Sequence, residues 1–271
     1  MDTALRARLR HYVPEPFVRL KRVVESRAHR AATELPLARF VCSGPASFAT
    51  RWRLARAFKA IHRDILASHT HDELLEIVTA ILMLPRRTEG ALLEAGCFKG
   101  ASAAKLSLVA RLTGRPLILC DSFEGIPANE ESHGRTLDGV QADFRAGQYR
   151  GGLDEVHDAI ERHGDLAMCR FVKGWFEQTL PTLTEPIAIA FIDVDLASST
   201  RTCLREIYPR LSPGGSLFSH DGHLPLCIEA MRDPALWAGI GEPVPIIEGL
   251  GTRKLVRITK PPVRKRSASD R

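Results

Sequence analysis

Through residue 65 the apolar positions keep helical spacing, in amphipathic runs interrupted at Ser43-Gly44-Pro45. A second helical stretch starts behind Thr70 or His71. It has acids in its first turn, apolar residues at 74, 75, 78, 81 and 82, and a stop at Pro85. From residue 91 short apolar runs alternate with helical spacing. The runs predict strands over 91–94, 116–120, 169–173, 187–193, 215–220, 244–248 and 253–258, and the stretches between them predict helices over 100–112, 152–163, 199–210 and 225–232. Residues 187–192 are apolar at every position, the pattern of a strand buried on both faces in a parallel sheet. This alternation predicts a doubly wound, Rossmann-like α/β fold with a seven-stranded, mostly parallel sheet. The Gly249-Leu250-Gly251 link is too short for a helical crossover, so the last two strands are expected to form a terminal antiparallel hairpin.

The stretch 122–151 fits neither period. A linker of that length inside a compact domain suits a lid or a substrate loop. The chain therefore divides into an N-terminal helical extension or lid (1–70), an α/β domain (71–260) and a basic tail (261–271) that reads as disordered.

Composition narrows the classes. With 271 residues, 44% hydrophobic and 26% charged, the chain can bury one large core. No run approaches the roughly 20 apolar residues of a membrane span, and MDTALRARLRHY lacks the apolar stretch of a secretory signal, so a cytoplasmic location is expected. Six cysteines include no C-x-x-C pair, which argues for buried thiols rather than a zinc or redox motif. The net charge of +6 is uneven: residues 1–60 carry +9, residues 253–271 carry +7, and the middle is −10. Basic ends invite an anionic surface, an acidic substrate or nucleic acid. Aromatic residues that would stack bases are sparse there, so nucleic acid is not expected as a partner. The N-terminal helices could form a contact between copies of the chain.

Two apolar runs end in acids. The first reaches Glu94 and enters a turn holding Gly96 and Gly100; the second reaches Asp121, 21 residues after Gly100. An ionised carboxylate at a strand end is acceptor-only and suits a ribose diol. The turn reads E-A-G-C-F-K-G, without the first glycine of the G-x-G-x-x-G dinucleotide fingerprint. E/D-x-G-x-x-x-G is the form found in S-adenosylmethionine (SAM) methyltransferases, where the turn admits a methionine tail. The plainer alternative is a glycine turn that only packs a helix on a sheet. A second group, Asp193-Val194-Asp195 and His220-Asp221, closes the fourth and fifth strands. Carboxylates at such adjacent ends repel unless a cation, a proton or hydrogen bonds compensate, and Mg²⁺ is the natural candidate.

LLEAGCFKGAS, CDSFEGIP, FRAGQYRGGLDEV, FVKGWFEQTLP, FIDVDLASST and IYPRLSPGG followed by HDGH occur in that order over about residues 90 to 223. In these stretches the chain resembles the macrocin O-methyltransferase family, class I SAM-dependent enzymes that methylate sugar hydroxyls in natural-product pathways. The resemblance implies that Glu94, Gly96, Gly100, Ala101 and Ser102 line the methionine portion of SAM, and that Asp121 holds the ribose with Ser122 beside it. Gly174, Trp175 and Phe176 would lie at the adenine, although Trp175 could equally be a core residue. Asp193 would complete the cofactor site. It also implies a divalent metal on Asp193, His220 and Asp221, with Asp195 as the proposed base. The family pattern has an Asp where His220 stands. His220 is then a ligand that shifts the preference from Mg toward Mn or Zn, or a catalytic base, or the mark of a lost metal site. His223 is a further candidate, and Asp195 could instead serve the N-terminus of the following helix.

The implied reaction is in-line transfer of the SAM methyl group to a small-molecule hydroxyl, of a sugar or glycosylated natural product, assisted by the metal and a base. The alternatives are an NAD-dependent oxidoreductase, a nucleic-acid methyltransferase, and a SAM-binding protein that is non-catalytic or metal-independent.

Overall fold

The computed structural model describes residues 34–262; residues 1–33 and, of the tail expected over 261–271, residues 263–271 lie outside the described residues. A helix over 34–43 (α1) is followed by α2 (Phe48–Asp64) and α3 (His71–Met83). The start of α3 is set by a capping box. Thr70 Oγ1 accepts from Glu73 N at 3.3 Å, and Glu73 Oε2 accepts from Thr70 N at 2.7 Å.

The strands of the main sheet are β1 (Ala91–Ala95), β2 (Leu117–Asp121), β5 (Cys169–Lys173), β6 (Ile187–Ile192), β7 (Leu211–Ser219), β8 (Ile247–Glu248) and β9 (Val256–Thr259). They lie in the order β5-β2-β1-β6-β7-β9-β8. The first five run parallel, and β9 pairs antiparallel with both β7 and β8. The expected seven-stranded sheet with a terminal antiparallel hairpin is therefore present.

Every residue of β1 and β6 is buried, and alternate side chains enter different halves of the core. Leu92, Leu119, Ile189 and Phe191 pack with α1–α3, with α4 (Ala101–Thr113) and with α5 (Leu153–His163). Leu93, Ile118, Ala190 and Ile192 pack on the other side with Phe176 of α6 (Phe176–Thr179) and with α7 (Ala197–Ile207), α8 (Pro225–Arg232) and α9 (Pro234–Ile240). Leu37, Phe40, Leu54, Phe58 and Ile61 of α1 and α2 belong to the first of these cores, so the described part of the N-terminal extension shares its core with the sheet.

Several boundaries differ from the sequence expectation; β7, for one, starts at Leu211 rather than at 215. The eighth strand is confined to Ile247–Glu248, and the turn to β9 takes up residues 249–255 rather than Gly-Leu-Gly alone. The helix expected to run to 210 ends at Ile207 and tightens into a 3₁₀ turn over Tyr208–Arg210, where Pro209 has no N–H to continue the α-helical ladder. The irregular 122–151 stretch contains an antiparallel pair, β3 (Ser132–Arg135) and β4 (Gln141–Asp143). These strands are only four and three residues long with a mainly exposed face, too short for alternation to register in the sequence.

Candidate active site

The C-terminal edges of β1, β2, β5, β6 and β7 open into one cavity of about 760 Å³. Parallel sheets collect ligands at this edge because the loops leaving adjacent strands diverge there. The two glycines of the first turn are required by close approach. Gly96 has φ +89°, and a Cβ there would meet the backbone oxygen of Asp193 at 2.0 Å. Gly100 caps α4 at φ +81°, with Val156 of α5 3.1 Å from where a Cβ would stand. The first turn is thus pressed against the end of β6 and against α5.

Asp121 spans the turns that follow β1 and β2. Its Oδ2 accepts from Cys97 N at 2.6 Å and its Oδ1 from Phe123 N at 2.7 Å. Burial raises its pKa against these hydrogen bonds. Each oxygen keeps a further lone pair for a ligand hydroxyl. Asp121, Ser122, Gly96, Gly174, Trp175, Phe176 and Asp193 all line the cavity. Glu94, Gly100, Ala101 and Ser102 stand behind the turn instead, buried at the root of α4. Ser102 Oγ donates to Glu94 Oε1, while Glu94 Oε2 has no hydrogen-bond partner among the described residues. Burial, reinforced by Asp193 and Asp121, raises the Glu94 pKa to about 8. Nearby, the fully buried Lys105 Nζ lies 2.9 Å from His69 Nε2, and burial lowers its pKa to about 7.

The second half of the cavity is acidic. Asp193, Asp195 and Asp221 each bring a carboxylate oxygen within 4.8 Å of the others. Asp195 takes a left-handed backbone, φ +60°, unusual for a residue with a Cβ. Burial and the two neighbouring acids hold its pKa well above the ordinary range. Burial and Asp193 likewise raise Asp221 to about 7, although Asp221 Oδ2 accepts from Val194 N at 3.2 Å.

His220 does not join the three carboxylates. Its Nδ1 lies 3.3 Å from Asp193 Oδ1, and its Nε2 lies 3.3 Å from Glu73 Oε2. The second contact is an ion pair whose angle is too bent for a hydrogen bond. Burial favours the neutral ring, but Asp193 and Glu73 outweigh it and raise the His220 pKa to about 10. The side chain is only 3% exposed. The sequence expects His220 as a metal ligand or as the base; in the structure both ring nitrogens face acids, Asp193 and Glu73, and the ring stands apart from the three-carboxylate group. Burial pushes the Asp193 pKa up, yet the His220 cation outweighs it and keeps Asp193 below the usual carboxylate range. Asp195 does not serve the N-terminus of α7 either. That N-cap is Leu196, and its N–H groups are met by Glu131. His223 lines the cavity, with its pKa lowered to about 4 by burial and by Lys254 and His220.

Several lining groups escaped sequence reasoning. Ser68 Oγ donates to Asp193 Oδ2 at 2.8 Å. Glu73 was visible as a capping acid, but nothing in its spacing shows that the same oxygen also faces His220. Tyr149 falls within the FRAGQYRGGLDEV stretch, which assigns it no role, and Lys254 comes from a connecting segment with no motif, yet both line the cavity.

The match to the Macrocin-O-methyltransferase (TylF) family covers residues 66–253. The chain is 31% identical over 242 residues to 8-demethyl-8-(2,3-dimethoxy-alpha-L-rhamnosyl)-tetracenomycin-C 4'-O-methyltransferase of Streptomyces olivaceus, covering 86% of this chain and 88% of that one. It is 30% identical over 174 residues to mycinamicin III 3''-O-methyltransferase of Micromonospora griseorubida, covering 60% of this chain and 66% of the other. The solved O-methyltransferase NovP shares the fold at a TM-score of 0.63 and 22% identity, over 78% of this chain and 99% of NovP. The family match runs from the segment carrying Ser68 to the residue before Lys254, and so takes in both halves of the cavity: the chain belongs to the macrocin O-methyltransferase family and is a SAM-dependent O-methyltransferase.

Proposed function

We propose that this enzyme methylates a hydroxyl of a sugar carried on a natural product, with a divalent cation at the three-carboxylate cluster. The observation that carries the reading is the continuity of one cavity from the Asp121, Trp175 and Phe176 wall to Asp193, Asp195 and Asp221. A donor and an acceptor can lie end to end there, as an in-line displacement requires. The Streptomyces olivaceus relative, by its name, acts on a rhamnosyl-bearing compound.

The residues at the cluster fit a cation. Three carboxylates within 4.8 Å, two of them with raised pKa values, form an all-oxygen donor set. Such a set suits Mg²⁺ or Mn²⁺ rather than Zn²⁺, because the imidazole of His220 is turned to other partners. Asp193, Asp195 and Asp221 would hold the ion, which when bound would polarise an acceptor hydroxyl and lower its pKa.

The chain's own part is positioning and proton transfer. Asp121 and the Gly174–Phe176 segment fix the nucleoside end of SAM. Ser68 and His220 hold Asp193 from two sides. A carboxylate oxygen of Asp195 left free by the ion takes the proton of the acceptor hydroxyl.

Calorimetry tests the donor half. Wild type binds SAM and S-adenosylhomocysteine (SAH), and Asp121→Ala weakens both by about tenfold or more, the scale of a lost charged hydrogen bond. No binding by wild type at millimolar SAM would sink the reading. Chelation followed by add-back tests the metal: Mg²⁺ or Mn²⁺ restores methyl transfer to a rhamnosyl glycoside. His220 and Lys254 both bring positive charge to these acids, which favours a second, metal-independent reading, and activity that survives thorough chelation would select it.

A further inference from the structure

The N-terminus of α7 begins two residues after Asp195, and its first N–H groups need acceptors from outside the helix. Leu196 at the N-cap supplies no side-chain cap. The acceptor comes from 66 positions earlier in the chain: Glu131 Oε2 accepts from Ala197 N at 2.6 Å and Glu131 Oε1 accepts from Ser198 N at 2.9 Å. A carboxylate on a helix N-terminus makes charge-assisted bonds with two aligned donors.

Glu131 is itself held in place. Its backbone N donates to Asn129 Oδ1 at 3.1 Å. Asn129 Nδ2 donates in turn to the carbonyls of Pro127 and Phe144, at 3.0 and 3.3 Å, so the two arms of the 122–151 segment are tied together beside Glu131. The next residues form β3, which pairs with β4. Behind them the His133 side chain is fully buried, edge-on to Phe144. Val140, Gln141, Ala142 and Phe144 of this hairpin line the cavity. A lesser tie, Leu137 N donating to His223 O at 3.2 Å, joins the hairpin to the loop after β7.

We propose that Glu131 is a positioning residue with two loads. It latches the β3–β4 hairpin over the acceptor half of the cavity, and it fixes the α7 N-terminus so that Asp195 keeps its left-handed backbone within the carboxylate cluster. The inference rests on the reading of Asp195 as part of the acceptor-side machinery. It assigns control of the acceptor half to a residue of the lid that touches neither the cofactor wall nor the acids. Loss of the latch frees the hairpin and lets Asp195 drift, while the Asp121 side of the cavity stays intact.

The test uses the full chain saturated with SAH, as wild type, Glu131→Ala and Glu131→Gln. Three quantities are read: SAH affinity by calorimetry, Mn²⁺ affinity by titration followed in the spin-resonance spectrum, and amide hydrogen exchange of residues 132–144 and 193–200. In Glu131→Ala, SAH affinity stays within about twofold. Mn²⁺ binding weakens by about tenfold, and exchange in both segments rises by about tenfold, the scale of one lost charge-assisted bond. Glu131→Gln keeps an acceptor oxygen and recovers part of both effects. Unchanged hairpin exchange in Glu131→Ala overturns the latch. SAH affinity falling in step with the rest also overturns it, because Glu131 would then only support the fold. A wild type that binds SAH but no Mn²⁺ overturns the cation reading together with the cluster half of this inference. A wild type that binds no SAH fails on the proposed function itself, before any variant is compared.

Discussion

At the scale of single residues, burial sets the charges of this site. Glu94 is fully buried behind the first glycine turn, with one oxygen bonded to Ser102 and the other without a partner. Its pKa of about 8 stands above the 4.5 of a free glutamate. Below about pH 4.5 both the folded and the unfolded chain hold this proton, and no penalty arises. As pH rises toward 8 the unfolded chain releases the proton first, so stability falls through that window. The full penalty, on the order of 4 kcal/mol, is reached above pH 8. Glu94→Gln keeps an acceptor for Ser102 and removes the titration. Urea unfolding of the variant should therefore lose less stability between pH 5 and 8 than that of wild type. Parallel curves would show that Glu94 is not the buried acid responsible. The residue scale is also where the sequence was least informative. D-V-D and H-D were visible as strand-end acids. That His220 turns away from the cluster depends on Glu73, 147 positions earlier, and no spacing rule connects those two residues.

At the scale of elements, the turn between β1 and α4 does the positioning. Gly96 N donates to Cys120 O at 3.0 Å, and Asp193 N donates to Ala95 O at 2.9 Å, so three strand ends close around one glycine. Gly96→Ala would combine a positive φ with a Cβ at 2.0 Å from Asp193 O, which is backbone and cannot swing aside. The expected outcome is a loss of several kcal/mol, with Asp193 displaced from the cluster. It is read as a lowered urea midpoint together with weaker Mn²⁺ binding. Gly114→Ala is the control, because its Cβ would meet nothing within 4 Å, so its cost is that of the left-handed backbone alone. Equal losses in the two variants would remove close approach as the reason for Gly96. The alternation of apolar runs and helices was legible because β1 and β6 are buried on both faces. The β3–β4 hairpin was not, because its short strands are fixed by tertiary ties at Glu131, Asn129 and Leu137 rather than by their own periodicity.

At the scale of the whole molecule, the cavity is assembled from residues as distant as Ser68 and Lys254. Its walls come from the segment before α3, five strand ends, the hairpin and the β8–β9 turn. Among the described residues no helix is long and apolar enough to cross a membrane. A ligand that needs the assembled cavity binds only the folded chain and shifts the unfolding equilibrium by mass action. SAH at a hundredfold excess over its Kd adds about 2.7 kcal/mol. For a domain of this size each kcal/mol moves Tm by roughly 2–4 °C, which predicts a rise of about 5–10 °C. Mn²⁺ added to the SAH complex should give a further rise, and Asp221→Asn should abolish this second increment while leaving the first. The order of the increments separates the two halves of the cavity. If SAH raised Tm equally in wild type and Asp121→Ala, the ligand would not be seated at the β2 end. If Mn²⁺ raised Tm as much in Asp221→Asn as in wild type, the ion would be bound away from the three acids.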